Sequence, residues 1–372
     1  MKKIIPLFFL LILCFSCSKN KENIIEESIL LKWNKSYPDE TIQSVEIGLK
    51  WALSQVGASV LNSNNIKKEK DFFTIEISKM GFSKNAEKAL RKIHQKVKES
   101  EEYKLNKSID VGRYVALLLG SSEHYYALIG TPKTLDEITK NYTLLPEKGY
   151  INNSSVSKVH RIIQFSAQKR FNQLFFSQEI DSVTGKIYEF ETIELLKNGQ
   201  LRFGIFDANG KRKMAADSKH TEAGKPAKCM WCHESNIQPM YNDQKNIKGF
   251  LPYMKLQETF DTYREANQKD KKEFIDVLNY IDYQQTQEHT FTEILYTSFM
   301  EPSAKRLALE WNMTEKQVQT KLKNYTTHQH HEFDFLGELY YRNEIEHLAP
   351  IKSLPVSGNI REKSNKEVNY IY

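Results

Sequence analysis

Cys229-Met230-Trp231-Cys232-His233 holds two thiols separated by two residues, with an imidazole directly after the second. Three chemistries use such a set. The thiols can add across two vinyl groups on one porphyrin edge while the His ligates the iron from below. They can cycle between dithiol and disulfide, as in thioredoxin-like sites. With His233 they can also supply three of the four ligands of a closed zinc site.

The surroundings favour the first chemistry. A thioredoxin-like pair follows a strand and opens a helix inside a βαβ unit. Here the run follows a predicted hairpin and a loop rich in Lys, Gly and Pro. Zinc lacks a fourth ligand, because no second Cys pair exists. A structural disulfide would strain a four-residue loop and leave His233 idle. The chain has 4 Cys. Cys14 and Cys17 lie in the first segment, so only Cys229 and Cys232 remain for the folded body.

On Cys229, Cys232 and His233 the chain resembles c-type cytochromes. The resemblance implies one covalent haem c, with Cys229 and Cys232 as thioether sites and His233 as proximal iron ligand. The chain departs from the small soluble members. It is far longer, and its nearest match to their Gly-Pro-x-Leu segment is Gly249-Phe250-Leu251-Pro252. The chain also looks like bacterial lipoproteins with a C-terminal haem motif, a likeness that brings no activity with it. Met300, beside Pro302, is the leading candidate distal ligand, at a separation from His233 like that of soluble cytochromes; core packing is its ordinary reading. Met240, Met254, Met313 and the cluster His328, His330 and His331 are weaker candidates. An open distal position is the remaining choice. A closed Met site suits electron transfer, whereas an open one admits peroxide or other small molecules.

The expected location agrees with the motif. Lys2 and Lys3 precede an apolar run from Ile4 to Phe15, too short for a spanning helix, which needs roughly twenty residues. The run ends Leu13-Cys14-Phe15-Ser16-Cys17, which resembles a bacterial lipoprotein signal with Cys17 as the lipidated residue. A plain cleaved signal is the alternative. Either places the protein in the cell envelope, facing the periplasm or on the surface, and lipid at Cys17 would anchor it to the membrane.

The expected fold class is α+β, with an N-terminal α+β module followed by a mainly helical region carrying the motif. The divisions are a signal at 1–16, a tether at 17–32, the module at 33–213, the helical region at 214–351 and a polar tail at 352–372. Apolar spacing predicts helices from Asp39 to Val60 and after Ser83, and a strand at Phe73, Ile75 and Ile77. Arg113–Leu119 and His124–Ile129 read as a hairpin. Thr134 and Glu137 form a capping box. Asn198-Gly199 marks a hairpin between Ile187–Leu196 and Leu201–Phe206. Beyond the motif, helical stripes run through Phe274, Val277, Leu278 and Ile281, and through Ala304, Leu307, Ala308 and Trp311. Thr314 and Gln317 cap a third helix, with Val318 and Leu322.

A net charge of +6 is too weak and dispersed to argue for nucleic acid. Lys211, Arg212, Lys213, Lys219, Lys225 and Lys228 precede the motif. They read either as a positive rim that steers an acidic redox partner or as solvated loop residues. Arg212 is also a candidate partner for haem propionates. The leading expectation is an envelope-anchored monohaem c-type cytochrome that passes single electrons. The alternatives are a haem-dependent peroxidase or oxidoreductase with an open site, and a binding lipoprotein using haem as sensor or staple. No catalytic residues can be assigned from the sequence.

Overall fold

The computed structural model describes residues 28–278, 287–360 and 367–372, Ser235 excepted. The fold is α+β: two sheets end by Asp207, and helices dominate the chain beyond it. The first sheet has the order β2-β3-β1-β4, from β1 (Ser28–Lys32), β2 (Ile66–Glu69), β3 (Phe72–Glu76) and β4 (Ile109–Asp110). Only β1 and β4 run parallel. The second is an antiparallel meander of β5 (Gly149–Ile151), β6 (His160–Phe165), β7 (Leu174–Ile180), β8 (Ile187–Leu195) and β9 (Leu201–Asp207). Gly199 takes φ +80° in the β8–β9 turn, a conformation that favours glycine.

The helices are α1 (Ile42–Gln55), α2 (Lys84–Glu99), α3 (Glu101–Asn106), α4 (Val111–Leu119), α5 (Ser122–Ile129), α6 (Leu135–Thr139), α7 (Cys229–His233), α8 (Tyr253–Leu278), α9 (Gln287–Met300), α10 (Ala304–Glu310), α11 (Glu315–Lys321) and α12 (Arg342–Ile345). Ser83 caps α2, and capping boxes open α6 at Thr134 and α11 at Thr314, where the sequence places them. α1 starts at Thr41 rather than Pro38-Asp39, because the Thr41 hydroxyl accepts from the Ser44 amide.

Three readings are corrected. The hairpin expected at 113–129 is α4 and α5. Asp110 accepts from the Gly112 and Arg113 amides, and Ser121 from that of His124, so each run starts as a capped helix. All of α4 is buried, which removes the polar face that separates helix from strand in a sequence. The end of the expected tether is a strand: Ile29 and Leu31 are buried in β1, between β3 and β4. The expected polar tail packs inward. Ile360 and Ile371 are buried, Arg113 donates to the Leu354 carbonyl, and Lys225 pairs with Glu367 at 2.7 Å. Among its described residues, Glu367 and the Leu354 and Val368 carbonyls serve buried partners. Cys14, Cys17 and the signal segment lie outside the described residues, as do the side chains of Phe274, Val277, Leu278 and Ile281.

One apolar cluster joins the first sheet, α1, α2, α4, α5, the motif helix, the end of α9 and the tail. α1 and α9 approach closely at Gly48, where a Cβ would lie 3.0 Å from the Phe291 backbone. Beside this cluster, Arg113, Arg306 and Arg342 surround the Phe299 ring, their guanidinium carbons 5.0, 5.4 and 3.8 Å from its centroid. Glu310 pairs with all three, at 3.4, 2.7 and 2.7 Å.

Candidate functional site

The motif occupies a single helical turn. Pro226 opens a 3-10 turn just before it, which suits proline because no amide is needed there. Glu234 ends α7 at φ +53°, so the chain turns away directly after His233. One side of the turn packs inward. Ala227 and Met230 are fully buried, and Trp231 stacks on Trp51 of α1 and leans against Tyr296 of α9. The other side presents Cys229, Cys232 and His233 to a cavity.

That cavity opens to solvent and has room within for about 150 Å³ of water-sized guests. Its floor is one face of the second sheet. Strand register sets Ile163, Ser177 and Glu191 in one cross-strand row and Arg161, Glu179 and Glu189 in the next. Phe165, Phe175 and Ile193 form a row on the other side. Side chains alternate between faces along a strand, so the nine share one face, apolar at one end and charged at the other. Ile237 to Tyr241 and Phe260 of α8 complete the walls. Gln244 holds the 237–241 wall to the Asn152 and Asn153 amides at 2.7 and 3.1 Å.

Five residues lining this cavity carry buried polar atoms without a hydrogen-bond partner: Arg161 Nε, Ser177 Oγ, Glu191 Oε1, His233 Nδ1 and Tyr241 Oη. Buried polar groups are almost always paired, so in solution these atoms meet water or a guest. Electrostatics sets the protonation states. Burial, then Arg161, lowers His233 to about 4, so its imidazole is neutral at neutral pH. Burial, then Glu191 and Cys232, pushes the Cys229 thiol well above its ordinary range. Both thiols are free. Arg161 pairs with Glu179 at 2.5 Å and Glu191 at 3.1 Å, and burial followed by Glu191 raises Glu179 to about 8.

Of the sulfur candidates, Met240 lines the cavity and Met300 does not. Met300 is buried at the end of α9, in the core. A helix continued past His233 would keep Met240 on the proximal side, but the turn at Glu234 ends the helix first. Met254 is exposed, and Met313 packs on the C-terminal helices. His328 pairs with Glu301 at 2.8 Å and stacks on Tyr341, and neither it nor His330 or His331 lines the cavity. Much of the expected basic rim is engaged internally. Lys225 is buried, Lys213 pairs with Glu189, and Arg212 lies over the Tyr126 ring and donates to the Thr131 carbonyl. Lys228 lines the cavity and donates to the Glu222 carbonyl, while Lys211 and Lys219 are exposed. Arg161, Ser177, Glu191 and Tyr241 escaped the sequence reading. The available signal was the alternation of Glu189 and Glu191 with residues of the opposite face.

No family model, curated protein or solved structure matches the chain. The resemblance to c-type cytochromes does not hold for it. Among the described residues no group of three or more His, Cys, Asp and Glu side chains is placed to hold a metal ion. The likeness rested on five residues, and these lie on one helical turn against an antiparallel sheet. A local motif of that size does not define a family.

Proposed function

We propose that the cavity takes one haem, joined to Cys229 and Cys232, with His233 as an iron ligand, and that the protein passes single electrons. One observation carries this reading: both thiols and a neutral imidazole with an unpaired buried nitrogen stand on the wall of one mostly apolar cavity. The bound group would supply the one-electron iron couple. The chain's own residues do the rest. Cys229 and Cys232 fix one edge, and His233 offers a lone pair. Phe175, Ile163, Ile193 and Phe260 exclude water, and low polarity strengthens every charge interaction inside. The reading concerns the site and assigns no family. An envelope location, lipid at Cys17 and an acidic redox partner belong to the same proposal.

A second reading has its own observation. Ser177, Glu191, Arg161 and Tyr241 face the cavity with unpaired polar atoms, whereas Met300 does not reach it. That favours an open position where small molecules bind, and so a haem-dependent oxidoreductase.

Expression in a periplasm with haem-attachment machinery tests both. The protein should stay red after acid–acetone extraction, and Cys229→Ala with Cys232→Ala should abolish the colour. A colourless protein that binds zinc would overturn the proposal. Rapid carbon monoxide binding by the reduced protein selects the second reading over the first.

A further inference from the structure

Charge that looks dispersed along the sequence gathers on α2. The helix carries Lys84, Lys88, Arg91, Lys92, Lys96 and Lys98 against Glu87 and Glu99, a net +4 where the whole chain carries +6. Its apolar side is sealed: Ala86, Ala89, Leu90, Ile93 and Val97 are buried. The opposite side exposes Lys84, Lys88, Arg91, Lys92 and Lys96. Arg91 lies 3.7 Å from a half-buried Glu87, Lys96 lies 3.0 Å from the exposed Glu99, and Lys92 donates to the Ile371 carbonyl. Lys88 and Lys92 also edge a cleft whose far side holds Arg212 and Tyr372.

We infer that this face of α2 docks on an anionic membrane surface. Side-chain type decides between lipid and protein. Stable protein interfaces bury aromatic residues and Arg at their centre and are poor in Lys. No large hydrophobic residue of α2 is among the exposed ones, and four of its five exposed cations are Lys. On α2 itself such a surface offers no aromatic anchor for a protein pocket. It suits a diffuse layer of headgroup charge, where each Lys adds attraction and none needs a fixed partner. Docking of this kind depends on the α2 surface alone, with or without haem at the motif or lipid at Cys17.

The test uses the mature chain with Cys17→Ser, so that no acyl chain contributes. Co-sedimentation is measured with phosphatidylcholine vesicles, with and without phosphatidylglycerol. The protein should bind only the anionic vesicles, and moderate salt should release it. Lys84→Gln, Lys88→Gln, Lys92→Gln and Lys96→Gln together should weaken partitioning by about tenfold or more. A charge-matched control, Lys305→Gln, Lys316→Gln, Lys321→Gln and Lys323→Gln, should retain most of it. Equal loss in both variants, or no binding to anionic vesicles, overturns the inference. So does a unit-stoichiometry complex with an acidic protein that the α2 substitutions abolish while vesicle binding persists. Circular dichroism of both variants confirms the fold, since all eight positions are exposed.

Discussion

The indole of Trp231, between the two motif cysteines, stacks on that of Trp51 in α1, with centroids 6.0 Å apart and planes 17° from parallel. This contact holds a five-residue helix that is too short to be stable by itself. Trp51 is buried, so Trp51→Ala should cost about 3–5 kcal/mol. It should also loosen the turn before the whole protein unfolds. Alkylation of Cys229 in folded, haem-free protein should then accelerate over wild type, while Cys232, already exposed, changes little. An unchanged Cys229 rate in a folded variant would show that the stack does not position the motif.

Met300 and Met240 separate in a second experiment. Met300→Leu conserves volume in the core and should cost under about 1.5 kcal/mol, leaving the iron spectrum of the red protein as it was. Met240→Leu alters the cavity wall and should shift that spectrum. The reverse pattern would return Met300 to the iron.

Glu310 joins three buried arginines, and losing it leaves their charge without its central partner. The three cations, Arg342 first, hold its carboxyl well below the ordinary range against the opposing effect of burial. Glu310→Gln should therefore destabilise the fold by about 3–5 kcal/mol, the usual cost of breaking a buried pair. Urea unfolding midpoints measure it. A loss below about 1 kcal/mol would place this cluster with weak surface pairs.

His94 gives the fold an acid limit. It is buried against the Tyr114 hydroxyl at 2.9 Å, and burial lowers it from 6.5 to about 3. The unfolded chain takes up a proton below pH 6.5 that the folded chain refuses. Stability is thus complete above that pH and falls as pH drops toward 3, by up to about 1.4 kcal/mol per unit. His94→Gln should flatten this limb of the stability curve between pH 6 and 4. A slope identical to wild type would assign the acid loss to other groups.

Much of this architecture is legible in the sequence where local rules decide. Ser83, Thr134, Thr314 and Gly199 announce their caps and turn, because a hydroxyl or a left-handed φ is a local requirement. α4 reads as a strand because complete burial erases its periodicity. The tail reads as solvated because Lys225, Arg113 and Ser121 recruit its residues from far away in sequence. The motif is plain, but its cavity is not. Arg161, Ser177 and Glu191 meet through strand register, which no spacing in the sequence encodes.

The inward packing of residues 354–360 and 367–371 sets an order of events for the growing chain. Ser121, Lys225 and Arg113 wait for Val368, Glu367 and Leu354, and Ile371 fills the same core as Ile29 of β1. Residues separated by almost the entire chain must meet before that core closes, and such distant pairings form slowly. A nascent chain therefore holds Cys229 and Cys232 on an unfinished body until residues 367–371 arrive. Any enzyme that must reach both thiols finds them most open during that interval, before the fold shuts around Cys229.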